Sequence, residues 1–156
     1  MRVFKEVSFS SPPILLAAWS GMGNAGLIAM DYMRRKQGAV SFAEIDMTPF
    51  FIPESIIVKN GIAQFPEVPS SIFTYTHEPN LLIFESNVQL GGQEGITIIK
   101  TILDLVAQFG VQRIYTAAAY AHSMSYQMNS EVFAACNTDT LVDDIRAYGI
   151  KLMPDG

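Results

Sequence analysis

Cysteine is almost missing from this chain. Cys136 stands alone, which rules out an intrachain disulfide and fits a reducing compartment. Histidine is nearly as scarce: His77 and His122 cannot complete a zinc-type ligand set with a single thiol, so no metal is expected. No apolar run reaches the ~18 residues of a membrane span, and the opening MRVFKEVSFSSPP lacks the apolar stretch of a secretion signal. The expected location is therefore cytoplasmic, with no membrane partner. Charge is thin as well, at 16% of residues, and its balance of ten basic to fifteen acidic groups gives a net charge of -5. Such a field repels a phosphate backbone, so nucleic acid is not an expected partner. Repeats with a period of 20 to 50 residues and low-complexity tracts are also absent.

What remains is apolar. With 49% hydrophobic residues in 156, the chain is long enough for one core, and a single domain over 1–156 is expected. So little charge leaves apolar surface uncovered, which points to a homo-oligomer. Ile14 to Trp19 is an apolar run too short for a helix and suited to a strand buried on both faces. Leu27, Ile28, Met30 and Met33 then recur at helical spacing, with Asn24 as the expected N-cap and Gly38 as the stop. Val40 to Ile45 reads as the next strand.

From Asp46 to Pro79 five prolines exclude a useful helix. Asn60-Gly61 between Ile56 to Val58 and Ile62 to Phe65 predicts a hairpin. A second pair, Ile72 to Thr76 and Leu81 to Glu85, flanks 77–80, its second member being more apolar and so more central. These hairpins are expected to extend or edge the sheet. Ile99, Ile102, Leu103, Val106 and Phe109 mark the inner face of a second helix ended by Gly110. Arg113 to Ala121 reads as a strand whose three alanines imply a close neighbour. Val132 to Cys136 reads as a strand, and Thr138 to Tyr148 as a last helix. Strand-helix alternation at both ends predicts an α/β fold: a three-layer α/β/α sandwich with a mainly parallel, mixed sheet.

Gly21-x-Gly23-x-x-Gly26 lies between a strand and a helix, with Glu44 and Asp46 about twenty residues on. That is the arrangement in which backbone amides approach a pyrophosphate. Met22 beside the phosphate path and a middle third without a crossover helix favour the other reading, in which the glycines let strand and helix pack closely. If the strands run parallel, Ser20, Gly21, Gly23, Asn24, Asp46, Glu85 and His122 gather at their C-terminal edge as a candidate ligand pocket. Ser, His and acid are present there, but no G-x-S-x-G elbow positions the serine, so no catalytic residue is assigned and no cofactor is expected. The alternative function is a small-molecule or nucleotide-binding enzyme, ligase- or hydrolase-like, using the Gly21 to Gly26 turn. Phe50 and Phe51, with Met47 and Ile52, and Met124 and Tyr126, with Met128, are apolar groups outside regular structure. They are the candidate protein interface.

Many ordered positions carry a family resemblance. Ile14 to Gly26 resembles the opening of the proteasome assembly chaperone 2 family, an apolar strand leading into G-x-G-N-x-G. Ala43-Glu44-Ile45-Asp46 with Phe50, Pro53-Glu54-Ser55, Gly61, Phe65-Pro66 and Leu81 to Glu85 with Gln89 are similar to its middle. Ile96 to Val111 and Ile114 to Ala119 resemble its later part. The resemblance implies a phosphorylase/hydrolase-like three-layer fold, self-association, and non-enzymatic help in assembling other proteins, proteasome-related ones among them. The family's members run beyond the position matching Gly156, so a short or truncated member is expected. The chain ends Met153-Pro154-Asp155-Gly156 in place of a hydrophobic-Tyr-x tail, which argues against ring docking by that route.

Overall fold

The computed structural model describes every residue except Glu54, His122, Met124, Asp155 and Gly156. In chain order it gives β1 (Arg2–Val3), β2 (Ile14–Trp19), α1 (Ala25–Lys36), β3 (Val40–Ile45), β4 (Ile57–Lys59), β5 (Ile62–Gln64), β6 (Ser71–His77), β7 (Asn80–Ser86), α2 (Gly92–Gln108), β8 (Ile114–Thr116), β9 (Phe133–Ala134), α3 (Thr140–Ala147) and β10 (Lys151–Leu152). These residues divide into two compact units, Met1–Ala119 and Tyr120–Gly156.

The first unit is built on a six-stranded sheet of order β1-β3-β6-β7-β2-β8. β2 pairs in parallel with β7 and β8, and the other three pairings are antiparallel. The sheet is mixed, as expected, but its parallel part is confined to β7-β2-β8, because the second hairpin sits in its middle and not at its margin. Leu81 to Phe84 of β7 are buried on both faces, as a central strand requires. β1 is an edge strand that the polar opening segment does not announce.

Side chains along β2 and β7 alternate between two cores. Leu15, Ala17, Leu82 and Phe84 point to the α2 layer, with Ile98, Ile102, Leu105 and Val106 from the helix and Phe42 and Phe73 from the sheet. Ala18 and Ile83 point the other way, to Met30 of α1. The three layers of this unit follow directly.

Each helix ends in the same way. The glycine after the C-cap (Gly38, Gly110, Gly149) has a φ of 62°, 68° or 69°, and paired amide bonds run back into the last turn, such as Ala39 N to Arg34 O at 2.9 Å. A left-handed residue is needed there, and glycine adopts it without a Cβ clash. At the start of α1 the expected side-chain cap is not made. Asn24 is itself left-handed at φ 51°, and it donates its amide to the Gly21 carbonyl at 2.9 Å.

Three further expectations are corrected. The inner face of α2 is Ile98, Ile102, Leu105 and Val106, so Ile99 and Leu103 are exposed. The strand expected over Arg113 to Ala121 pairs only over Ile114–Thr116. The Asn60-Gly61 hairpin forms, with φ of 52° and 78° at its turn, but as a separate two-stranded sheet whose strand residues are all exposed.

In the second unit β9 and β10 pair in parallel, and α3 lies between them in sequence. The expected strand over Val132 to Cys136 is shortened to Phe133–Ala134.

Candidate functional site

β3 and β7 are each antiparallel to β6, and β2 is parallel to β7. Hence β2, β3 and β7 end along one edge of the sheet. Register places Ile45, Ser71, Ser86 and Trp19 in one row across it. Asp46 and Ser20 follow the two ends of that row, three strand spacings or ~14 Å apart, so they share an edge without facing one substrate.

The Gly21 to Gly26 turn is largely occupied with its own geometry. Ser20 donates its amide to the Ser86 carbonyl at 2.9 Å, tying the turn to β7. Gly21, Met22, Gly23 and Asn24 are exposed. Gly26 is buried, and an added Cβ would stand 2.1 Å from the Ala117 carbonyl oxygen and 3.3 Å from the Ala18 Cβ. This is the close neighbour that the alanine run predicts, and it gives Gly26 a packing role.

Asp46 is exposed, and its carboxylate accepts the Thr48 N–H at 3.0 Å. Hydrogen bonds from Thr48 hold its pKa below the usual value. Glu85 faces α1, on the side of the sheet away from α2. Arg34 donates its Nε to Glu85 Oε2 at 2.8 Å, and Arg34 and Arg35 both pair with Asp31. The Glu85 side chain is only 18% exposed. Burial raises its pKa, and the Arg34 guanidinium offsets part of that rise. The carboxylate's partner is thus a helix arginine, and the four charges tie α1 to the sheet. His122 and Met124 lie outside the described residues.

A raised carboxyl pKa sets the sign of a pH effect. Stability from the protonated form is fully present below the ordinary value of 4.5 and is lost as pH rises through the higher folded-state pKa. Wild type minus Glu85→Gln, followed by urea unfolding at a series of pH values, should therefore fall as pH climbs from 4.5 and then level off. A rising difference would show that the Arg34 pairing outweighs burial.

A cleft of about 130 Å³ lies at the strand-end row on the α2 face. Trp19, Met47, Val88, Leu90, Ile98 and Ile99 line it, and Ser86 and Gln89 add polar groups. Ser71 and Ser86 share a buried hydroxyl contact of 2.8 Å, and Ser86 Oγ also donates to the Val88 carbonyl at 2.7 Å. A wider hollow of about 510 Å³ lies under the N-terminal segment, between Phe9, Phe42 and Phe109. No residue of the turn lines either space. Sequence reasoning missed this cleft; its available signal was the alternation Ser86-x-Val88-x-Leu90, which carries strand periodicity up to α2.

The candidate interface residues divide. Met47 is buried and Phe50 packs against the core, so they serve the fold. Phe51 is half-buried, Ile52 is exposed, and Tyr126 is 94% exposed. The hairpin β4–β5 adds an apolar surface that the loop reading overlooks. Among the described residues no cluster of three His, Cys, Asp or Glu could hold a metal, and no helix is long and apolar enough to cross a membrane.

Solved structures share this architecture. Pyrococcus furiosus PbaB, described as an archaeal proteasome activator, superposes with a TM-score of 0.74 at 20% identity, over 99% of this chain and 66% of that one. P. furiosus PbaA, described as an archaeal homolog of proteasome-assembly chaperone, gives 0.71 at 17% identity, over 94% of this chain and 61% of that one. A proteasome-assembly chaperone homologue from Mycobacterium tuberculosis gives 0.59 at 12% identity, over 89% and 72%. The chain thus spans less than two thirds of the length of either Pyrococcus protein. No functionally curated protein matches it. The family model described as PAC2 family matches residues 15–156, and the chain belongs to the PAC2 family.

Proposed function

We propose that this protein is a non-enzymatic, assembly-chaperone-like factor of the cytoplasm, which self-associates and binds other proteins through apolar surface. The β4–β5 hairpin carries the proposal. Val58 and Ile62 are 62% and 63% exposed and Phe65 is 77% exposed, with Ile56 and Ile57 also open to solvent. A two-stranded hairpin is marginal in water without a further packing partner, and contiguous exposed apolar side chains mark association surfaces. Lys59 is the only charge from Ile56 to Phe65, in keeping with the depletion of charge at interface cores. Among the described candidate loop residues, Ile52 and Tyr126 are the most exposed, at 83% and 94%. Proteasome subunits are the proposed clients, in line with what the structural relatives are described as doing.

Light scattering coupled to size exclusion at high micromolar concentration should give a multiple of the 17.2 kDa chain mass. Val58→Lys combined with Phe65→Lys should reduce it to the monomer, since two desolvated charges on a contact of this size would cost several kcal/mol. A wild-type monomer throughout would remove self-association from the proposal. Addition to unassembled proteasome core subunits, followed on native gels, should raise the yield of complete particles; an unchanged yield would remove the clients.

A further inference from the structure

We infer that the hollow under the N-terminal segment is a binding site for a short apolar peptide with free termini, a di- or tripeptide. This activity lies beyond the assembly role above and uses none of the residues assigned to it.

Size sets the class of ligand. The hollow holds about 510 Å³, within the roughly 300–1,000 Å³ of small-molecule sites. Phe42 and Leu105 are buried in its lining, and half-buried Phe9 and Phe109 join them. The Phe109 ring centroid lies 5.5 Å from that of Phe9 and 5.9 Å from that of Phe42. A space of about 150 Å³ already accepts a benzene-sized ring, so this lining has room for more than one apolar side chain.

Backbone groups in the lining select the polar part. The Phe42 carbonyl accepts the amides of Phe4 and Lys5 at 3.0 and 3.3 Å, and the Asn80 side chain holds Ser11. Between these anchors Glu6 to Ser10 make no hydrogen bond among the described residues, although Glu6, Val7, Ser8 and Phe9 line the hollow. A ligand that enters displaces water from those N–H and C=O groups and must replace its hydrogen bonds. A peptide group carries one donor and one acceptor, the same pair that the segment offers.

Charge selects the ends. Lys5 and Glu6 both line the hollow and both are exposed. The Lys5 ammonium stands over the Tyr75 ring, 5.2 Å from its centroid, and Glu6 has no ion-pair partner among the described residues. A purely anionic ligand would be opposed by Glu6 and a purely cationic one by Lys5, whereas a ligand with an ammonium at one end and a carboxylate at the other complements both. A free amino acid holds those two groups on one carbon. A short peptide separates them by its backbone and fills the space as well.

Titration calorimetry with leucyl-phenylalanine, its N-acetyl form and its C-terminal amide tests this on wild type, Glu6→Gln, Lys5→Gln and Gln108→Trp. All three positions are exposed, and circular dichroism with urea midpoints checks that the variants fold. The free dipeptide should bind wild type saturably. Capping either end should weaken it by about threefold, since exposed ion pairs are individually weak. Glu6→Gln should weaken the free dipeptide by the same factor and leave the N-acetyl form unchanged, and Lys5→Gln should do the same for the free dipeptide and the amide. Gln108 lines the hollow, so Gln108→Trp should fill it and abolish binding of all three ligands. No saturable heat at millimolar dipeptide would overturn the inference. So would full affinity after capping, charge variants that do not discriminate between the ligands, or unchanged binding in Gln108→Trp. Each of these failures leaves the hairpin variants and their light-scattering result untouched.

Discussion

Gly26→Ala is expected to cost about 3 kcal/mol of stability, the upper part of the range for overpacking a filled interior. The usual trend runs the other way, since alanine in a helix interior gains roughly 0.5–1 kcal/mol over glycine. Here the added Cβ would stand 2.1 Å from the Ala117 oxygen and 2.8 Å from its carbonyl carbon. Both are backbone atoms of the segment that continues β8, so no side-chain rotation relieves the contact. Either α1 lifts from the sheet or the edge of the sheet moves, and both disturb the packing of Met30 on Ala18 and Ile83. Gly21→Ala is the matched control. Its Cβ would meet nothing within 4 Å, and its φ of -170° is ordinary extended backbone. It should change stability by no more than about 0.5 kcal/mol. Equal urea midpoints for the two variants would sink the packing account of Gly26.

A second large loss is expected at Phe84. Its ring is fully buried on β7, 4.8 Å from the Phe73 centroid and 5.4 Å from that of Trp19. Phe84→Ala removes transfer free energy and leaves a void that neighbouring strands cannot close, a change worth about 3–5 kcal/mol. Trp19 would lose its aromatic neighbour, so its emission should shift to the red in the native baseline as well as in the unfolding curve. A loss below about 1 kcal/mol would mean that α2 collapses into the space.

The apolar runs were the most legible part of the chain. Ile14–Trp19 and Val40–Ile45 match their expected bounds: the first is an unbroken apolar stretch, and the second is bounded by the Gly38 stop before it and by Asp46 after it. The glycine stops of the first two helices, Gly38 and Gly110, were equally plain. Facing was harder. Ile96, Ile99 and Leu103 of α2 are as apolar as Ile98, Ile102 and Leu105, so periodicity alone allowed either stripe to turn inward. Position within the sheet was harder still: nothing local tells the Ile72 to Glu85 hairpin that it lies beside β2 while the Asn60-Gly61 hairpin forms its own small sheet. The alternation is similar, and long-range pairing decides between them.

The candidate site was legible only as an edge. Directions of the strands were read well enough to bring Ser20, Asp46 and Glu85 toward one end of the sheet, but two facts are not local. The order of strands separates Asp46 from Ser20, and the alternation along β7 turns Glu85 toward Arg34 of α1 while turning Ser86 toward the cleft. A charged residue at a strand end looks like a ligand group in sequence, and its helix partner 51 positions away in the chain is invisible there.

The pairing of β2 has a consequence for the newborn chain. Its neighbours on both sides come much later in sequence, at Leu81 to Ser86 and Ile114 to Thr116. At ~5–20 residues per second of synthesis, Ile14 to Trp19 waits on the order of 3–13 seconds after leaving the ribosome before β7 exists to shield it. During that interval a greasy six-residue ribbon has no mate, which makes early translation the period when this chain itself most needs a guardian.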